Sequence, residues 1–171
     1  KREEDIKRRL EKLAKENRER NEEIKRRLDE LVDRNREENE KILRELEKMV
    51  RELERSDRDR SVVEKELRDL EERIRRMHER DKEDLRRIEE TLRELKERDK
   101  RHLDEVEKRV EDDNLDEEAR KRLEELKKET EDTNRRIDEA VERAKEETRR
   151  TNERIKEELK RVKKKVTDKR R

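Results

Sequence analysis

The stretch DKEDLRRIEETLRELKERD, residues 81–99, decides the fold of this chain. It begins and ends with an aspartate, and each aspartate lies in a copy of the tetrapeptide ERDK. Between them, apolar residues recur every three or four positions, which is the spacing of one face of an α-helix. Asp81 and Asp99 fall on that same face, where they take apolar positions. They are 18 residues apart, which equals five turns at about 3.6 residues per turn.

The same 18-residue offset relates the other polar residues that interrupt the apolar stripes. Upstream, two asparagines recur 18 positions later, and downstream a group of two threonines and one asparagine does the same. We therefore predict two copies of one buried polar layer in a helical bundle. Layer 1 comprises Asn17, Asn21, Asp99, Thr130, Thr133 and Asn134. Layer 2 comprises Asn35, Asn39, Asp81, Thr148, Thr151 and Asn152.

Two polar breaks divide the periodic pattern into three long segments. They are SDRDRS at 56–61 and EDDNLDEE at 111–118, where polar residues replace the apolar ones. The periodicity between these breaks predicts helices over about 4–55, 62–111 and 115–167.

Each break also carries a signal for the start of the following helix. Ser61 and Glu64 have the spacing of a capping box, in which the serine hydroxyl and the glutamate carboxylate each accept from a backbone amide. Asp113 or Asn114 is the predicted N-cap of the third helix. The acidic residues after it favour a helix N-terminus.

The polar positions predict how the helices pair. In an antiparallel pair, facing residues have a constant sum of residue numbers. Asn17 with Asp99 and Asn35 with Asp81 both give 116, which places the turn within SDRDRS. We therefore predict an all-α fold, an up-down-up antiparallel three-helix bundle forming one elongated domain over 1–171. A repeat of 18 residues in five turns matches the straight helix, so the helices should be nearly untwisted.

Composition excludes several classes of protein. Charged residues make up 67% of the chain, but 58 basic residues nearly balance 57 acidic ones, which gives no long-range attraction for nucleic acid. The basic end at 160–171 has no aromatic residue for base stacking and is predicted to be a solvated helix end. The chain has no cysteine, no apolar run long enough for a membrane span and no targeting signal. We expect a soluble protein that binds no nucleic acid or membrane.

The chain resembles de novo designed, parametrically generated straight three-helix bundles with buried hydrogen-bond networks. Three pairs of matching segments carry this resemblance over nearly the whole chain. They are ENRERNEEIKRRLDELVD with RNREENEKILRELEKMVR, ERDKEDLRRIEETLRELK with ERDKRHLDEVEKRVEDDN, and ETEDTNRRI with ETRRTNERI. The lack of glycine and proline departs from the class, whose loops often contain them. The resemblance implies a scaffold without a natural substrate.

The chemistry of each layer fits a hydrogen-bond network. Asparagine offers a donor and an acceptor, threonine a hydroxyl, and an ionised aspartate only acceptors. His78 and His102 each lie three residues from a layer aspartate, so each could extend its network or stand on the solvated flank. We find no catalytic residues, no metal-ligand spacing and no cofactor motif, and predict that the chain is not an enzyme.

Two functions remain open from the sequence. The first is a structural scaffold whose polar layers specify helix register, with no required partner and a monomeric state. The second is an interaction module, either a self-associating bundle or a partner that accepts another helix. Few apolar residues lie off the core stripes, which favours the first. They are Ala14, Val32, Leu43, Val50, Val62 and Ala140.

Overall fold

The computed structural model of the protein describes residues 2–55, 59–112 and 117–168. These residues form three α-helices: α1 (Arg2–Arg55), α2 (Arg60–Asp112) and α3 (Glu117–Asp168). Asp59 is the only described residue outside a helix. The predicted all-α fold with three long helices is confirmed.

The helices extend one or two residues beyond several predicted ends. Charge at the termini accounts for part of this, because acidic side chains stabilise the first turn of a helix and basic ones the last. The first turn of α1 contains Glu3, Glu4 and Asp5, and the last turn of α3 contains Lys165. The predicted N-cap at Asp113 or Asn114 and the predicted start of α3 at 115 lie outside the described residues.

The capping box predicted at Ser61 is wrong, because α2 begins at Arg60. Asp59 is the N-cap instead: its carboxylate Oδ1 accepts the backbone N–H of Ser61 at 3.1 Å. Its carbonyl oxygen accepts from the N–H groups of Val62 and Val63 at 3.2 Å each. An aspartate is among the best N-caps and adds a negative charge at the positive end of the helix dipole. Glu64 is held by Arg60, four residues before it and 3.5 Å away.

Ion pairs between helices show the direction in which each pair of helices runs. Lys96 pairs with Asp138, and Glu107 pairs with Lys127. Higher residue numbers on α2 thus pair with lower ones on α3, so these two helices are antiparallel. Arg9 pairs with Glu105 in the same antiparallel sense between α1 and α2. Lys7 of α1 pairs with Glu118 of α3, and Glu11 pairs with Arg122. The residue numbers rise together, so α1 and α3 are parallel. The up-down-up antiparallel order is confirmed.

The chain divides into two compact units. Unit 1 comprises Lys1–Leu28 and Arg87–Arg143, and unit 2 comprises Asp29–Arg86 and Ala144–Arg171. Each unit contains a segment of all three helices. The single-domain organisation expected from sequence remains a prediction.

Each unit has an apolar core built from the predicted stripes, and each buried aliphatic side chain contributes on the order of 1.5–3 kcal/mol. One apolar cluster of unit 1 comprises Ile6, Leu10, Val106, Val110, Ala119, Leu123 and Leu126. One apolar cluster of unit 2 comprises Ile42, Leu46, Met49, Leu53, Val63, Leu67, Leu70, Ile74, Ile155, Leu159, Val162 and Val166.

Candidate functional site: two buried polar layers

Layer 2, in unit 2, is centred on a hydrogen bond between α1 and α2. Asn35 Nδ2 donates to Asp81 Oδ2 over 2.8 Å, and the two residues are only 1% and 3% exposed. Their apolar stripes bring them together, because each side chain takes a core position of its helix. A buried amide and carboxylate both need partners, since an unsatisfied buried polar group costs roughly 1–3 kcal/mol. Each satisfies the other here.

The third helix joins layer 2 through Asn152. Its Oδ1 accepts from Asn35 Nδ2 and from Asn39 Nδ2, each over 3.1 Å. Asn39 Nδ2 also donates to the backbone oxygen of Asn35 over 2.9 Å. The carboxylate of Asp81 and the backbone carbonyl of Asn35 can only accept, so the amide nitrogens of Asn35 and Asn39 must face them as donors. This orientation fixes the direction of the remaining bonds. Layer 2 is therefore one connected network across α1, α2 and α3.

His78 extends layer 2 beyond the asparagines. Its Nε2 lies 3.0 Å from Asn39 Oδ1. Both amide hydrogens of Asn39 already point to acceptors, so its Oδ1 can only accept and Nε2 must carry the proton. Burial lowers the pKa of His78 below its usual 6.5, and the positive charge of Lys156 lowers it further, while Asp81 acts in the opposite direction.

Charged residues complete layer 2 at the side facing solvent. Arg34 donates to Asp81 Oδ1 over 2.9 Å and to Asp84 Oδ2 over 2.6 Å. Arg80 pairs with Glu38 and lies 3.6 Å from the same Asp81 oxygen. Sequence reasoning did not single out these four residues. Their position in the sequence could have indicated the two arginines, because Arg34 directly precedes Asn35 and Arg80 directly precedes Asp81.

Layer 1, in unit 1, has the same central bond between α1 and α2. Asn17 Nδ2 donates to Asp99 Oδ2 over 2.8 Å, and Asn21 Nδ2 donates to Asn17 Oδ1 over 3.0 Å. Arg20 donates to the other oxygen of Asp99 over 2.9 Å and also pairs with Glu16. These bonds form a single line from Asn21 to Arg20. The arginine was again missed, although it directly precedes Asn21.

The α3 residues of layer 1 lie beside this line without joining it. Thr130 is buried, and Thr133 and Asn134 are half-buried. Within the described residues, no hydrogen bond links Thr130 or Asn134 to α1 or α2, and Thr133 donates to the carbonyl of Glu129 in its own helix. His102 is half-buried, with its Nδ1 buried and unpartnered. It makes no contact with layer 1 comparable to that of His78 with layer 2.

The threonines of layer 2 also bond within their own helix. Thr148 donates to the carbonyls of Ala144 and Lys145 at 2.9 and 3.0 Å, and Thr151 donates to that of Glu147 at 2.9 Å. A threonine hydroxyl in a helix can always reach the carbonyl three or four residues earlier. Both layer 2 threonines are therefore satisfied within α3 and donate to no layer residue of α1 or α2.

The described residues contain no group of three or more His, Asp or Glu side chains arranged to hold a metal ion. Of the three helices over their described lengths, none combines the length and hydrophobicity that a membrane crossing requires. What the layers offer chemically is two sets of amide and carboxylate groups bonded mainly to one another.

No protein-family model matches this sequence, and no curated protein does. Among solved structures, the chain is similar to a computationally designed three-helix bundle, with 19% sequence identity and a TM-score of 0.54. The match covers 97% of this chain and 81% of the other. At this level of identity, the similarity supports the fold, and the fold is that of a three-helix bundle.

Proposed function

We propose that this protein is a designed structural scaffold with no natural biochemical activity, whose two polar layers specify the register of its helices. The observation that carries this proposal is the repeated bond between α1 and α2. Asn17 donates to Asp99, and 18 residues along α1 Asn35 donates to Asp81, both over 2.8 Å. The internal sequence repeat and the designed origin of the similar three-helix bundle support the same proposal.

The energetics explain why such layers suit register better than stability. The apolar positions along each stripe are nearly interchangeable, so a shift along the helix axis costs little wherever one aliphatic side chain replaces another. A shift that places Asn35 or Asp81 against leucine leaves a buried amide or carboxylate without a partner, at roughly 1–3 kcal/mol for each group. A satisfied network itself adds little net stability. The layers thus act mainly by penalising wrong pairings.

The placement of the off-stripe apolar residues favours the scaffold over an interaction module. Leu43 and Val50 pack against the core of unit 2, and Ala14 packs against that of unit 1. In the described parts of the chain, Val62 is the exposed large hydrophobic residue, at 43% exposure. A second docking helix would need a continuous apolar stripe on the outside. The proposal therefore includes a monomer that requires no cofactor, substrate or partner.

Replacement of both layers tests the proposal. The layer-free variant carries Leu, Ile or Val at all twelve layer positions and should be at least as resistant to guanidinium as the parent. It should also lose a unique register or oligomeric state, because no polar layer then interrupts the apolar stripes. Size-exclusion chromatography with light scattering measures the mass of each variant. The positions are Asn17, Asn21, Asp99, Thr130, Thr133 and Asn134 of layer 1, and Asn35, Asn39, Asp81, Thr148, Thr151 and Asn152 of layer 2.

Spin labels measure the register directly. The chain has no native cysteine, so Arg9→Cys with Glu105→Cys gives one defined label pair across α1 and α2. The parent should show one narrow distance. The layer-free variant should add longer distances, because a slip of one heptad displaces the two labels by about 10 Å along the helix axis. A layer-free variant with the parental mass and one narrow distance would refute the register role. A variant that unfolds would show that the layers are needed for stability instead.

A further inference from the structure

His78 is the last residue in a chain of hydrogen bonds that begins at Asp81. Asp81 sets the direction of the bonds, because its carboxylate can only accept. Asp81 accepts from Asn35, Asn152 accepts from Asn35 and Asn39, and Asn39 accepts from His78. None of these amides can turn over without placing two donors or two acceptors face to face. The network therefore selects the neutral imidazole tautomer that is protonated at Nε2.

The second ring nitrogen has no such partner. His78 Nδ1 is buried and makes no hydrogen bond. Addition of a proton there would create a buried donor without an acceptor, which is costly. The ring could satisfy that proton only by turning towards water, which would break the bond to Asn39. We propose that His78 makes layer 2 an acid-sensitive clasp, which joins the three helices of unit 2 when the ring is neutral and is weakened when the ring is protonated.

Burial and the charges around His78 together disfavour the protonated ring. Lys156 of α3 repels a protonated ring, and Asp81 of α2 attracts it. The attraction is reduced because Arg34 of α1 already pairs with Asp81 at 2.9 Å. On α1 the group in contact with the ring is the neutral amide of Asn39. Burial and Lys156 together outweigh Asp81, and the pKa of His78 is lowered.

The sign of the pH dependence follows from this lowering. An unfolded histidine titrates near 6.5, whereas the folded one titrates below that value. Between the two values, the unfolded chain binds more protons, so acidification favours unfolding. The stabilisation is present in full above about pH 6.5 and is lost as pH falls towards the folded pKa. Each unit of separation corresponds to about a tenfold change in the folding equilibrium.

Nitrogen-15 NMR on histidine-labelled full-length protein tests the geometry without any mutation of the network. At neutral pH, His78 should show the Nε2–H tautomer, and its titration midpoint should lie below 6.5. The side-chain amide signals of Asn39 should shift with the same midpoint. His102→Gln assigns the two rings and should leave the His78 titration unchanged. A His78 midpoint at or above 6.5, or the Nδ1–H tautomer, would overturn the proposal.

Denaturation tests the consequence for stability. His78→Gln can still donate to Asn39 but has no proton to gain between pH 5 and 8. The guanidinium midpoint of the parent should fall relative to that of His78→Gln as pH is lowered from 7.5 to 5. The His102→Gln variant should follow the parent. Parallel profiles of the parent and His78→Gln would refute the clasp, and the NMR titration decides the matter if His78→Gln does not fold.

Discussion

The two units carry the same six polar side chains at equivalent positions, yet layer 2 connects three helices whereas layer 1 connects two. In layer 2, Asn152 accepts from both asparagines of α1. Its counterpart in layer 1, Asn134, has no such bond among the described residues. Layer 2 is also more deeply buried: Asn35 and Asn39 are each 1% exposed, against 6% for Asn17 and 7% for Asn21. Identical side chains at equivalent positions therefore do not ensure identical networks.

The residues around the layers account for part of the difference. In α1, a charged residue directly precedes each layer asparagine. In layer 1 the first of the two is Glu16 and the second is Arg20, whereas in layer 2 the first is Arg34 and the second is Glu38. The arginine reaches the layer aspartate in both cases, but from opposite sides along the helix. His78 on α2 accounts for the rest, because it occupies the acceptor oxygen of Asn39 and leaves the Asn39 amide for Asn152. The two networks thus differ in their charged and histidine flanks as well as in their extent.

The largest difference between the layers should appear when the aspartates are removed singly. Asp81→Leu leaves Asn35 with one amide hydrogen unpaired and Arg34 with only Asp84, and should cost about 3 kcal/mol. Asp99→Leu affects a shorter, more exposed line and should cost about 1–2 kcal/mol. Guanidinium unfolding followed by circular dichroism measures both.

Lys82→Leu, at an exposed position next to Asp81, is the matched control and should change stability by less than about 0.5 kcal/mol. We also expect Asp81→Leu to be more harmful than replacement of all six residues of layer 2 by aliphatic ones, since the latter leaves no orphaned group. Equal and small losses for Asp81→Leu and Lys82→Leu would mean that the aspartate has no buried partners in solution.

A smaller difference should separate the asparagines of α3. Asn152→Leu removes the acceptor of two buried amides and should cost about 1–2 kcal/mol. Asn134→Leu removes a side chain with no bond to α1 or α2 and adds apolar surface to unit 1, so it should be neutral or stabilising. The same denaturation experiment compares them. Equal losses for the two variants would show that layer 1 also spans three helices in solution.

The smallest effect concerns a largely solvent-exposed cluster near layer 2. Arg149 and Arg150 hydrogen-bond to Glu146 and lower its pKa to about 2. Because the folded pKa lies below the unfolded one, this interaction stabilises the fold above about pH 4.5 and is lost as pH falls towards 2. Arg149→Gln should raise the pKa of Glu146 in a carboxyl NMR titration. Solvent screening keeps this stabilisation small, so the neutral-pH unfolding midpoint should fall only slightly, and a large fall would contradict this.

Much of the fold follows from the sequence alone. The stripe positions, the two breaks and the pairing of Asn17 with Asp99 all come from periodicity and a constant sum of residue numbers. Such geometric rules depend only on helix spacing, which is the same for every residue. The start of α2 was misplaced because two candidate caps, Asp59 and Ser61, stand two residues apart. Propensity alone does not choose between them, whereas the hydrogen bonds that the carboxylate and the carbonyl of Asp59 accept do.

The site was less predictable, because a long polar side chain has several partners within reach. The sequence placed Thr148 in the same layer as Asp81, but a hydroxyl near the carbonyls of its own helix is satisfied there without a neighbouring helix. Arg20 and Arg34 look like ordinary surface residues in a chain with 67% charged residues. Their role depends on side-chain reach and rotamer, which the pattern of residue types does not specify.

The division of the helices between the units has a consequence for the order of folding. Each unit contains one local pairing, α1 with α2 in unit 2 and α2 with α3 in unit 1, plus a third segment from far away in sequence. Ion pairs such as Lys127–Glu107 close a short loop, whereas Asn35 must find Asn152 across 117 positions. Since short loops close at lower entropic cost, each hairpin should form before its third helix docks. During synthesis, unit 1 has all its residues once Arg143 has been added, while unit 2 must wait for the end of α3.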